Sequence, residues 1–221
     1  MTRRYRLRIA TAALIVLLGV AGIVSQQDLS SVLPTTRQVS QNVRPTLTLL
    51  DTLEVKGRAP KTGYSREQFG DGWREVGSCD TRNIILARDL SSESVGKDCK
   101  VLTGTLEDPY TGKTIYFKRG ANTSDDVQID HVVALSDAWQ KGAGLLGYER
   151  RQTLANDPLN LLAVDGSANQ QKSDSDAASW LPPNKQFRCQ YVTRQVKVKA
   201  KYHLWVTVAE KAAILQVLSR C

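Results

Sequence analysis

Residues 127–174 read VQIDHVVALSDAWQKGAGLLGYERRQTLANDPLNLLAVDGSANQQKSD. The β-branched, partly alternating run VQIDHVVAL at 127–135 predicts a strand. Residues 136–142 and 148–156 read as helices. NLLAV at 160–164 is a short apolar strand, and DGSANQQKSD at 165–174 opens with an Asp-Gly turn that can enter a helix. The predicted order is strand, helical excursion, strand, helix. Asp130 and His131 are neighbours on the first strand, so their side chains point to opposite faces or diverge at its end. One can ligate a metal while the other faces a substrate. Asn169, at the start of the last helix, adds an amide oxygen. A carboxylate and an amide oxygen, completed by water and phosphate, suit one hard divalent cation: Mg²⁺ first, Mn²⁺ as the alternative. They suit zinc poorly, because no thiolate or second histidine lies nearby. A neutral imidazole beside such an ion can take a proton from water at about pH 7. The reaction class predicted is metal-assisted hydrolysis of a phosphodiester.

Outward from this stretch, CKVLTGTL at 99–106 and KTIYFK at 113–118 are β-rich, and DPYTG at 108–112 joins them as a hairpin turn. TRNIILARDL at 81–90 reads as a helix or a buried turn. TLTLLDTLEV at 46–55 reads as a short amphipathic helix. Two further helices are expected at about 187–200 and 207–219, the last with an apolar face of Ala212, Ala213, Leu215, Val217 and Leu218. The fold class is therefore α+β, with a hairpin before the central motif and a mostly helical C-terminal cover. Residues 46–221 form one domain, and residues 25–45, polar and carrying Pro34 and Pro45, read as a linker.

Residues 2–8, TRRYRLR, hold four arginines, and residues 9–24, IATAALIVLLGVAGIV, carry no charge. That is the pattern of an export signal, and sixteen residues fall short of the roughly 20 that span a bilayer. The expected destination is secreted. The alternative is a retained anchor at 9–24 that leaves the domain membrane-tethered and facing outward.

The chain of 221 residues has 30 Lys plus Arg, 22 Asp plus Glu and a formal net charge of +8. Subtracting the four leader arginines leaves 26 basic against 22 acidic residues, a net +4, so a polyanionic substrate is compatible but not demanded. With only His131 and His203, a multi-histidine zinc site is excluded. The four cysteines lack CxxC spacing, and an even count in an exported chain points to two disulfides. Of three possible pairings we favour the sequence neighbours, Cys79–Cys99 and Cys189–Cys221, each worth ~3 kcal/mol through loop-closure entropy. Arg82 and Arg119 are candidate phosphate contacts, with structural ion pairing as the rival role. Lys197, Lys199 and Lys201 read as a solvated helix face, SDSD at 173–176 as a solvated loop, and His203 as packing.

Asp-His, Asn-Leu-Leu and Asn-x-x-Lys together resemble the HNH, or ββα-metal, nucleases, with Asn169 standing where many members carry a final histidine ligand. GYSREQFG at 63–70, CDTRN at 79–83, WLPP at 180–183 and KYHLWVT at 201–207 extend the likeness to secreted actinobacterial HNH-family proteins. These share the domain found at the C-terminal end of GmrSD-type restriction enzymes. The resemblance covers residues 46–221. It implies that His131 is the general base, that Asp130 and Asn169 hold the metal, and that Asn160 belongs with the catalytic set as support for the loop bearing the histidine. It also implies that Lys172 contacts phosphate. The function expected is a metal-dependent endonuclease acting on nucleic acid, DNA before RNA, with low sequence specificity. It would work as a monomer and without a small-molecule cofactor. The rival from another class is a catalytically silent binding module on the same fold.

Overall fold

The computed structural model describes residues 43–121 and 123–221. The leader and nearly all of the linker lie outside the described residues. Everything below concerns the compact unit that ends at Cys221. Its elements, in chain order, are α1 (Arg44–Asp51), β1 (Glu75–Val76), β2 (Cys79–Asp80), α2 (Thr81–Asp89), β3 (Ser91–Val95), β4 (Val101–Glu107), β5 (Thr114–Lys118), β6 (Val127–His131), α3 (Leu135–Gln140), α4 (Tyr148–Ala155), β7 (Leu161–Asp165), α5 (Gly166–Lys172), α6 (Arg188–Lys201) and α7 (Val208–Leu218). The mixed α+β class expected from the sequence is what forms.

The centre is the antiparallel pair β6–β7, with Ile129 opposite Ala163 and Asp130 opposite Leu162. Residues directly opposite share a face. Val127, Ile129, Leu161 and Ala163 therefore pack one way, against Ile85 and Leu86 of α2 and Leu106 and Phe117 of the β4–β5 hairpin. Leu162 and Val164 pack the other way, with Val192 and Val196 of α6, Ile214 and Leu218 of α7 and Leu50 of α1. Both faces of the pair are covered, which is why its apolar residues run nearly without interruption.

β3 joins β4 and β5 as an antiparallel edge strand. The sequence reading missed it, because SSESV is exposed throughout and offers no apolar alternation. The expected strand at 127–135 ends at His131, where the chain turns into α3. Asp108 fixes the hairpin turn. It accepts from Thr111 N at 2.7 Å and from Asp165 N at 2.9 Å, so one carboxylate ties the turn to the end of β7.

Both favoured disulfides are present, Cys79–Cys99 with a separation of 20 residues and Cys189–Cys221 with 32. The first links β2 to the turn before β4, and the second joins α6 to the residues after α7. Three expectations are corrected. Lys199 lies fully buried between Asp137 (3.4 Å) and Glu210 (2.8 Å), because its position on α6 faces α7 and not solvent. Asp176 of the supposed solvated loop is buried and meets Lys141 at 2.7 Å and Arg58 at 2.9 Å. His203 does not pack; it is exposed at φ 53°, turning the chain out of α6.

Candidate active site

Because β6 alternates, Gln128 and Asp130 share one face and Ile129 and His131 the other. The strand ends at His131, so both side chains of the Asp-His pair reach one cavity of about 660 Å³. Gln128 and Asn169 line it beside them.

His131 is anchored through Nε2, 2.8 Å from the carbonyl oxygen of Ala155 at the end of α4. A carbonyl only accepts, so Nε2 carries the hydrogen and Nδ1 keeps a lone pair. Burial depresses the imidazole pKa to about 3; the Ala155 carbonyl opposes this, while the charges of Arg66 and Lys172 add to it. The ring is thus neutral at physiological pH. Trp73 stacks along it at 5.9 Å between centroids with planes 6° apart, which leaves the imidazole little freedom to turn.

Asn160 sits one residue before β7 and is completely buried. Its Oδ1 accepts from Val133 N at 2.8 Å and its Nδ2 donates to Val133 O at 3.2 Å, while its own carbonyl accepts from Val132 N at 2.8 Å. These three bonds clamp the turn that follows His131.

Asp130 is held on both oxygens. Lys172 Nζ donates to Oδ1 at 2.9 Å, and the Tyr110 hydroxyl donates to Oδ2. Burial pushes this carboxyl above its usual range, with Lys172 and Tyr110 pulling it back. Asn169 projects from α5, whose first turn is capped by Asp165 accepting from Ala168 N at 2.7 Å. Its Nδ2 donates to Gln128 Oε1 at 2.9 Å, which sets the amide so that Oδ1 is free; among the described residues Oδ1 accepts nothing. An unengaged amide oxygen, and a carboxylate whose two oxygens offer about four lone-pair sites with two in use, form an all-oxygen donor set. That set fits a hard divalent cation and fits zinc poorly. Among the described residues no group of three His, Cys, Asp or Glu could hold a metal, so a cation here would draw on amide and water oxygens as well.

Of the expected substrate contacts, Arg82 is in the cavity wall. Its guanidinium is held only loosely, 3.4 Å from the carbonyls of Ser124 and Val127, and meets neither Asp80 nor Asp89. Burial, then the nearby charge of Arg119, lowers its pKa. Arg119 is elsewhere: its guanidinium binds Val101 O at 2.7 Å and Asn83 Oδ1 at 2.5 Å, bracing β4 to α2. Lys172 is fully buried and bonded to Asp130 and to the carbonyl of His131, so it has no surface to offer a phosphate. Both positions are corrected from substrate contacts to internal braces.

The sequence reading did not single out Arg66, Gln128 or Tyr110, and it took Trp73 for core packing. Gln128 was within reach of the period-two rule, since it stands two residues before Asp130. Arg66 lies inside the GYSREQFG string, but nothing there marked its role; with Trp73 it comes from a stretch far upstream that closes over His131.

The family described as GmrSD restriction endonucleases, C-terminal domain, matches residues 80–217. The chain belongs to that family. A relative from Arthroderma benhamiae, named only "Uncharacterized secreted protein", is 39% identical over 175 residues, covering 78% of this chain and 83% of its own. It is fungal, so the actinobacterial part of the resemblance gains nothing from it. No solved structure matches. Within the GmrSD C-terminal-domain match lie Arg82, Asp130, His131, Asn160, Asn169 and Lys172. Lys61, Arg66 and Trp73 precede it, so one wall of the cavity is added from outside the matched span.

Proposed function

We propose that this protein is a secreted, metal-dependent endonuclease of the HNH type that hydrolyses nucleic-acid phosphodiesters, DNA in the first place. The observation that carries the reading is His131. It is a neutral imidazole with Nε2–H fixed on Ala155 O and Nδ1 unprotonated, facing a polar cavity shared with Asp130 and Asn169. Membership of a restriction-endonuclease family agrees with it. The secreted relative and the basic-then-apolar leader favour export.

His131 Nδ1 takes a proton from water as the water oxygen bonds to phosphorus. The opposite P–O bond breaks, and the departing oxygen leaves as an alcohol after gaining a proton from solvent. Asp130 and Asn169 would hold a divalent cation, which supplies positive charge for the phosphate and the departing oxygen. Arg82 and Arg66 attract the phosphate. Asn160 holds the loop that aims His131.

The test is plasmid nicking by the full oxidised chain with Mg²⁺, Mn²⁺ or EDTA, beside His131→Ala. Metal-dependent nicking that falls at least ~100-fold in the variant is expected. A folded protein that cuts neither plasmid, single-stranded DNA nor RNA under either metal would overturn the reading in favour of a silent binding module.

A further inference from the structure

The donor set has one carboxylate, Asp130, and its charge is already matched. The Lys172 ammonium lies 2.9 Å from Asp130 Oδ1 and 2.9 Å from the carbonyl of His131, with no exposed surface. Two acceptors hold it and no solvent is open to it, so it cannot easily withdraw. The other groups beside it, His131, Asn169, Gln128 and Tyr110, are neutral. Further round the wall Lys61 pairs with Asp174 at 3.0 Å. Arg66 and Arg82 pair with no carboxylate among the described residues, and Asp125 is the remaining acid of the lining. The wall itself holds three cations, Lys61, Arg66 and Arg82, against three carboxylates, Asp125, Asp130 and Asp174, and the Lys172 ammonium stands behind Asp130. A divalent cation entering alone therefore meets a single carboxylate ligand whose charge Lys172 already balances. A phosphodiester brings the missing negative charge.

We propose that Lys172 is a positioning residue that keeps Asp130 charge-neutral, so that the divalent cation and the nucleic acid each raise the other's affinity. This rests on the metal-nuclease reading and adds to it the order of occupancy. The coupling is reciprocal: whatever factor DNA adds to metal affinity, metal adds to DNA affinity. It also gives Lys172 a reason to be buried at the site that a phosphate contact would not.

The test is a Mn²⁺ titration of the full oxidised His131→Ala chain, which cannot turn substrate over, with free Mn²⁺ read by electron paramagnetic resonance, with and without a short DNA duplex. Mn²⁺ should bind at least about tenfold more tightly when DNA is present. Adding Lys172→Met should tighten Mn²⁺ binding to the DNA-free protein and shrink the coupling. Adding Tyr110→Phe, which removes a hydrogen bond to Asp130 but no charge, should leave the coupling in place. Equal Mn²⁺ affinity with and without DNA would overturn the coupling and leave the nuclease reading standing. No Mn²⁺ binding in either condition would overturn both. Should Lys172→Met fail to fold, as judged by circular dichroism, the comparison with and without DNA still decides.

Discussion

On the nuclease reading four side chains carry the site, and each is fixed by a different neighbour. His131 takes its hydrogen-bond partner from α4, Asp130 from the hairpin turn and α5, Asn169 from β6, and Asn160 from the turn it clamps. Asn160 is the most exposed to a simple test. Asn160→Ala leaves the buried Val133 N–H without an acceptor, which costs about 1–3 kcal/mol. Urea denaturation should show that loss, and nicking should fall further than stability does, because the histidine turn is loosened. That Asp130, His131 and Asn169 would come to one place, with Asn160 beside the histidine turn, was legible because the motif order of strand, strand and helix brings them together. The role of Lys172 was not. Whether a lysine reaches outward or folds under its own helix depends on what covers it, and no local pattern reports that. Arg66 was invisible for a related cause: an exposed arginine in a polar loop resembles any other until the loop is seen to cross the histidine.

At the scale of elements, the short helix α5 is set by a close approach. Gly166 opens it, and a Cβ built there would lie 2.0 Å from the carbonyl oxygen of Asp125. The sequence reading saw Asp-Gly as turn chemistry; the glycine is needed because another strand of backbone passes too near for any side chain. Gly166→Ala must shift α5 or the 125–126 segment, at a cost of about 1–3 kcal/mol. Since Asn169 rides on α5, Mn²⁺ affinity should drop along with the midpoint of urea unfolding. A variant with unchanged midpoint and unchanged affinity would show that the backbone gives way freely there. The β6–β7 pair, the β4–β5 hairpin and the helices were readable from periodicity, whereas β3, exposed along its whole length, was not.

The whole domain is held by three apolar clusters and by one buried network of charge. Lys141, fully buried, meets Asp137, Asp176 and Glu210, each at 2.7 Å, while Lys199 and Arg58 complete the balance. Six charges meet there, three from helices (Asp137, Lys199 and Glu210) and three from the segments between them (Arg58, Lys141 and Asp176), and sequence spacing offered no hint of it. Burial alone would raise the Asp176 carboxyl, but the hydrogen bond and charge of Lys141, with Arg58 behind them, hold it at about 2. A carboxylate depressed in the folded state adds stability above its unfolded pKa of roughly 3.9, and that stability is lost as pH falls toward the folded value. Thermal unfolding followed by circular dichroism should therefore show a melting temperature that drops steeply between about pH 4 and about pH 2. Lys141→Met, which leaves three buried carboxylates to Lys199 and Arg58 alone, should lose about 3–5 kcal/mol at neutral pH and flatten the acid profile.

The loop carrying Lys61, Arg66 and Trp73 lies ahead of the matched family span yet forms a wall of the cavity. On the endonuclease reading proposed above, this stretch is the lip at the mouth of the cavity. Transplanting the corresponding stretch from the fungal relative would be a way to alter which polymer is admitted, while the histidine, its anchoring carbonyl and the oxygen donors stay as they are.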